Sequence, residues 1–171
     1  YYSAVCAAIG SLSGPLHGGA NEAAMELISR YQTPEQAVVG VKDMLRHQEK
    51  VMGFGHAIYK DSDPRHAVIK QWSRKLSERA NDEHIFAISV AIEKLMWEEK
   101  KICANLDFFS ASTFHFLGIP RCLFTPIFVC SRMAGWAGHI FEQRKTNSLI
   151  RPSADYIGSA PRHYKVVEQR H

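Results

Sequence analysis

Three segments place a titratable side chain beside glycine or in apolar surroundings, where it can act on a bound substrate. His17 lies in 14-GPLHGG-19, at a break between two helical stretches. The glycines after it let a ligand approach the backbone. A helix beginning there would favour a neutral imidazole, able to donate a hydrogen bond to a developing enolate. The competing reading is a histidine that plugs a turn. His56 lies in 53-GFGHA-57, where two glycines flank Phe54 and give the loop freedom to close; a plain surface loop is its alternative. Asp107 lies in 105-NLDFF-109. A carboxylate just before two phenylalanines is expected to be poorly hydrated, which raises its pKa as a general base for a weak carbon acid requires. The same aspartate could instead cap the helix that starts there.

Arginines accompany these groups. Arg65 follows Asp63-Pro64 at a helix start, Arg132 sits in an apolar helical stretch, and Arg151 precedes a proline in 149-LIRP-152. A guanidinium buried in an apolar stretch is costly unless an anion pairs with it, and guanidinium forks bind carboxylates bidentately. Together the arginines suit a substrate with two carboxylates; singly, each reads equally as a surface salt bridge. Two histidines and an aspartate raise the question of a metal. No two histidines lie within four residues and there is no H-E-x-x-H, so no metal site is expected. Nor does any G-x-G-x-x-G follow a strand, as a dinucleotide site would need.

The elements that must position these residues are helices, and the expected fold class is mainly all-α. Residues 1–12 are small and apolar, and 13-SGPLHGG-19 ends that helix. A short helix follows over 21–31, capped by Asn21. Thr33-Pro34-Glu35-Gln36 combines a cap, a proline at the first helical position and a capping box; that helix is expected to fade near Lys50. Asp63-Pro64 opens a helix over 64–80 with Val68, Ile69, Trp72 and Leu76 as its apolar face. Another spans 82–100, through Ile85, Ile88, Ile92, Leu95 and Met96. A buried helix runs from residue 105 to Gly118, and a last long one over 126–144, with irregular chain beyond Thr146. The stretch 106–141 is mostly apolar and reads as part of a larger core.

Composition excludes several classes. The 171 residues are 46% apolar, enough for one cored domain or parts of two. Twenty-one basic against 17 acidic residues give a charge of only +4, with no basic stripe, so nucleic-acid binding is not expected. No apolar run approaches the ~20 residues of a membrane span. Four scattered cysteines, with no C-x-x-C pair, are expected to be buried free thiols in a reducing compartment. The first residues contain no methionine and read as the middle of a longer chain.

Four motifs, 11-SLSGPLHGGANE-22, 52-MGFGHAIYKDSDPR-65, 105-NLDFFSA-111 and 131-SRMAGW-136, resemble those of the citrate synthase family in order and spacing. With 124-FTPIFV-129, 140-IFEQR-144 and 149-LIRPSADYIG-158 they resemble the 2-methylcitrate synthase branch and related bacterial citrate synthases. The resemblance covers essentially the whole chain and somewhat under half of a typical member. It implies a helical homodimer with a cleft between a large and a small domain. Residues 20–110 would form the small domain, and 1–19 and 111–171 parts of the large one. It implies condensation of an acyl-CoA with oxaloacetate, propionyl-CoA favoured over acetyl-CoA, with the CoA thioester as substrate and no cofactor. Asp107 would take the acyl proton, His17 would stabilise the enolate, and His56 would protonate the oxaloacetate carbonyl. Arg65 and Arg132 would hold its carboxylates, Arg151 would reach across from the partner subunit, and Lys60 would face the CoA phosphates. A catalytically inactive helical domain serving only in assembly is the alternative of another class. The expected compartment is the cytoplasm in a bacterium or the mitochondrial matrix in a eukaryote.

Overall fold

The computed structural model of the protein describes residues 1–14, 18–59, 62–146, 148–149 and 151–170. Among these the regular structure is helical: α1 (Tyr2–Leu12), α2 (Ala20–Ser29), α3 (Pro34–Arg46), α4 (His66–Ala80), α5 (His84–Lys100), α6 (Leu106–Phe116) and α7 (Phe124–Thr146), with two short 3-10 turns at Arg121–Leu123 and Val167–Gln169. The strand-like pairing between Phe54 and Ala104 is a single isolated bridge.

α6 is the centre. Phe108 to Thr113 are buried without interruption, so this helix is covered on every side. α2, α4 and α5 pack around it, and α3 lies against α5. Ile88 and Ile92 of α5, Ile28 of α2, Val41 of α3 and the two phenylalanines of α6 are fully buried together. The buried face of α5 is the one its apolar spacing predicts.

α4 departs from expectation. Val68 and Trp72, assigned to its apolar face, are more than half exposed, and the buried residues are Ser73 and Ser77. Small side chains let α4 approach α6 closely, and their hydroxyls find partners. Ser73 Oγ lies 2.7 Å from Ser112 Oγ, and Ser77 donates to the Arg74 carbonyl at 2.8 Å. A hydroxyl bonded in this way is buried at little cost, and a purely hydrophobic pattern does not reveal it.

Helix ends also shift for local reasons. Thr33 caps α3, accepting from Gln36 N at 3.3 Å, while the Gln36 side chain turns back to Gln32 N at 3.0 Å. α3 stops at Arg46, short of Lys50, because Gln48 adopts a left-handed φ of 59°. Asn21 is not the cap of α2. Gly19 occupies that position, and Asn21 is buried inside the first turn. α7 begins two residues before Pro126, since a first-turn proline gives up no helical bond.

Apart from Phe124, α7 buries none of its described side chains, and α1 buries none. The two run antiparallel, the Tyr1 ring tilted against Phe141 with centroids 5.5 Å apart and Arg144 over its ring. The apolar stretch 106–141 is thus two different environments, a covered α6 and an open α7. The cysteines are free, but Cys6, Cys122 and Cys130 are exposed and Cys103 is half-buried, contrary to the expectation of buried thiols. No described helix is long and apolar enough to cross a membrane.

Candidate active site

The loop between α3 and α4 is sewn to the segment that enters α6. Gly55 N donates to the Cys103 carbonyl at 2.9 Å, and Asn105 N donates to the Gly53 carbonyl at 3.0 Å. The Asn105 amide also donates to the Gly55 carbonyl at 2.9 Å. Gly53 and Gly55 have φ of 87° and 78°, which side-chain-bearing residues rarely adopt. A Cβ on Gly53 would stand 2.8 Å from the Phe108 Cβ. Backbone conformation thus requires both glycines, and close packing requires Gly53 as well, whereas the sequence suggested freedom to close.

That seam brings His56 and Asp107 to one cavity. Asn105 is the cap of α6, its side chain accepting from Asp107 N at 3.0 Å. Asp107 therefore stands in the first turn without serving as the cap. Its side chain is half-buried, beside the fully buried Phe108 and Phe109, and near the positive end of the helix dipole. His56 is held by the backbone: its Nδ1 accepts from Ile58 N at 3.1 Å and Tyr59 N at 3.2 Å. A ring nitrogen that accepts carries no proton, so in the neutral ring the hydrogen is on Nε2, and His56 offers a donor. This ordered turn argues against a plain surface loop.

Arg65 is fixed too. Its Nε and Nη2 donate to Asp63 Oδ1 and Oδ2 at 2.9 and 2.8 Å, and its backbone N donates to Oδ1 at 3.0 Å. Arg65's fork holds the Asp63 carboxyl below the usual carboxylate range against the opposing effect of burial, and Asp63 in turn raises the Arg65 pKa.

The cavity has a volume of about 780 Å³, and His56, Arg65, Asp107 and Arg132 all line it. Arg132 comes from α7, whose first turn is tied to α2 by a bond from Thr125 N to Glu22 Oε1 at 3.3 Å. The expectation that Arg132 is buried and needs an anion is corrected. It is exposed, with its guanidinium 5.1 Å from the Phe128 ring centre, because α7 lies at the surface. Arg151 is exposed in the irregular C-terminal stretch and does not line the cavity. His17 and Lys60 lie outside the described residues. Among the described residues no group of three potential ligands could hold a metal ion.

Four further residues contribute, none of them singled out by the motifs. Asp63 and Asn105 position others, and Lys50 and Lys100 bring positive charge to the cavity wall. The D-x-R spacing before α4 and an Asn two residues before Asp107 are the signals that could have found the first two. The lysines carry no local signal, since only folding brings the ends of α3 and α5 together.

This arrangement offers a carboxylate, an imidazole whose Nδ1 is held by the backbone and two guanidinium groups around one space large enough for a sizeable ligand. The chain is 59% identical over 161 residues to a 2-methylcitrate synthase of Shewanella oneidensis, covering 94% of this chain and 43% of that protein. It is 46% identical over 169 residues to citrate synthase 2 of Bacillus subtilis, covering 99% and 45%. It superposes with a TM-score of 0.85 and 34% identity on a citrate synthase of Thermoplasma acidophilum solved with carboxymethyl coenzyme A and oxaloacetate, covering 99% of this chain and 46% of that one. The chain thus spans under half the length of the curated relatives it matches. Residues 1–153 match the family described as citrate synthase, C-terminal domain, and the chain belongs to the citrate synthase family.

Proposed function

We propose that the protein carrying this chain condenses an acyl-CoA with oxaloacetate and water, releasing CoA, with propionyl-CoA the favoured donor and 2-methylcitrate the product. The observation that carries the reading is the cavity that gathers Asp107, His56, Arg65 and Arg132. Asp107 takes a proton from the carbon next to the thioester. His17 donates a hydrogen bond to the enolate oxygen, an interaction that strengthens as charge develops. The carbon attacks the keto carbonyl of oxaloacetate, whose oxygen receives the Nε2 proton of His56. Water then attacks the thioester carbonyl, the C–S bond breaks, and CoA leaves as its thiol.

Arg65 and Arg132 hold the oxaloacetate carboxylates, and Lys60, with Lys50 and Lys100 at the cavity wall, faces the CoA phosphates. Residues 20–110 act as the small domain, and 1–19 with 111–171 belong to the large one. The enzyme is a homodimer, to whose second site Arg151 contributes. The uncovered surfaces of α1 and α7 support that division. The preference for propionyl-CoA is supported by the 59% identity to a 2-methylcitrate synthase. An acetyl-CoA-using citrate synthase is the second reading, supported by the 46% identity to citrate synthase 2.

The test is CoA thiol release with oxaloacetate, comparing the two acyl-CoAs, on the protein in its full natural length. A higher kcat/KM for propionyl-CoA supports the first reading and a higher value for acetyl-CoA the second. Release with neither refutes both and leaves a non-catalytic assembly role.

A further inference from the structure

Asp63 is 1% exposed, the sole acidic side chain in the buried class among the described residues. An ionised carboxylate in that position is costly unless its oxygens are satisfied. Among the described residues, the hydrogen bonds to its carboxylate come from one residue two positions away: the backbone N, Nε and Nη2 of Arg65. That arginine is 46% exposed and lines the cavity. The carboxylate is thus buried against the guanidinium of a partly exposed side chain that lines the cavity. The pairing uses the Nε hydrogen and one Nη2 hydrogen, leaving the other Nη hydrogens for a second carboxylate.

Tyr59 braces the same unit. Its ring centre is 5.7 Å from the Arg65 guanidinium carbon and 4.7 Å from the His56 ring centre, and its backbone N donates to His56 Nδ1. The turn that sets the His56 tautomer therefore also supports the Arg65 fork.

We propose that Asp63 is a positioning residue for the keto diacid: it locks the Arg65 guanidinium, braced by Tyr59, in the orientation that receives a substrate carboxylate beside His56. The proposal rests on the condensation reading. A long arginine held in one rotamer before binding loses little further freedom on binding, so pre-locking strengthens the complex without adding a contact. Asp63 touches no substrate; it acts through Arg65.

The experiment uses the full-length protein and the near-isosteric Asp63→Asn, which keeps an acceptor but faces Arg65 with a donor. Oxaloacetate binding is measured by calorimetry, with kcat and both KM values from CoA release. Oxaloacetate Kd and KM should rise about 10- to 100-fold, with the acyl-CoA KM within about twofold of wild type. A buried scaffold residue with no tie to Arg65 would move both KM values, or neither. In an Arg65→Gln background, Asp63→Asn should add less than about twofold, because the residue it acts through is gone. Equal costs in the two backgrounds overturn the proposal. Removing a buried charge can impair folding, so Tyr59→Leu, at a half-buried loop position, is the second variant. It should raise the oxaloacetate KM at least about threefold, and an unchanged value overturns the proposal. Wild-type protein that binds oxaloacetate without releasing CoA would refute the condensation reading alone, since the binding measurement still decides the role of Asp63.

Discussion

Replacing Gly53 with alanine tests the seam on which the site is built. Gly53 has φ of 87°, and an added Cβ would lie 2.8 Å from the Phe108 Cβ, 2.9 Å from Cδ2 and 3.0 Å from the helix backbone at Cα. Two costs add. A side chain in the left-handed region costs about 1–2 kcal/mol. Overpacking against a buried residue costs about 1–3 kcal/mol, and Phe108 cannot give way because it is fully buried at the start of the central helix. The expected destabilisation is therefore roughly 2–5 kcal/mol, a large share of a typical domain's stability. Gly55→Ala is the control. Its φ of 78° imposes similar strain, but its nearest contact is Ile102 Cγ2 at an ordinary 3.6 Å, so only the first cost, about 1–2 kcal/mol, applies. Urea midpoints for both variants, with unchanged slopes, measure the difference. Gly53→Ala should also lower turnover more than Gly55→Ala, because Phe108 adjoins Asp107. Equal destabilisation by the two variants would refute the close approach of the loop to α6.

Further substitutions separate chemistry from support. Asp107→Asn should reduce turnover about 10²- to 10⁴-fold in protein that still unfolds cooperatively in urea, because Asn105 and not Asp107 caps α6. Asn105→Ala removes that cap and the bond to the Gly55 carbonyl; it should cost about 1–3 kcal/mol, read by thermal unfolding. Glu93 ties α4 to α5, its carboxyl facing Lys70 and, at 2.6 Å, His66 Nε2. Burial opposes its ionised form, but His66 and Lys70 outweigh burial and hold the pKa below the usual carboxylate range. A carboxyl depressed in the folded state stabilises above its unfolded pKa, and the gain is lost as pH falls through the folded value. The wild type should thus lead Glu93→Gln in urea midpoint at neutral pH and lose that lead on acidification below about pH 4; a constant gap would refute the ion pair.

Much of this protein was legible before folding. Apolar spacing located α5 and its buried face, and local punctuation located α3, since Thr33, Pro34 and Gln36 act within one turn of each other. The motifs naming His56, Arg65 and Asp107 are also local, and the cavity unites them. What the sequence could not show depends on distance. Which face of α4 is buried was decided by the closeness of α6, where two serines fit and valine and tryptophan do not. The exposure of Arg132 follows from the position of α7 at the surface, which its composition hides. Asp63 changed from a helix-start residue to the partner of Arg65 because burial makes a carboxylate seek a cation. Gly53, read as a source of loop mobility, is needed because Phe108, far along the chain, packs against its backbone. Periodicity and capping are short-range forces and are written in neighbouring residues; burial and charge pairing depend on what the folded chain brings near, and only the tertiary structure decides that.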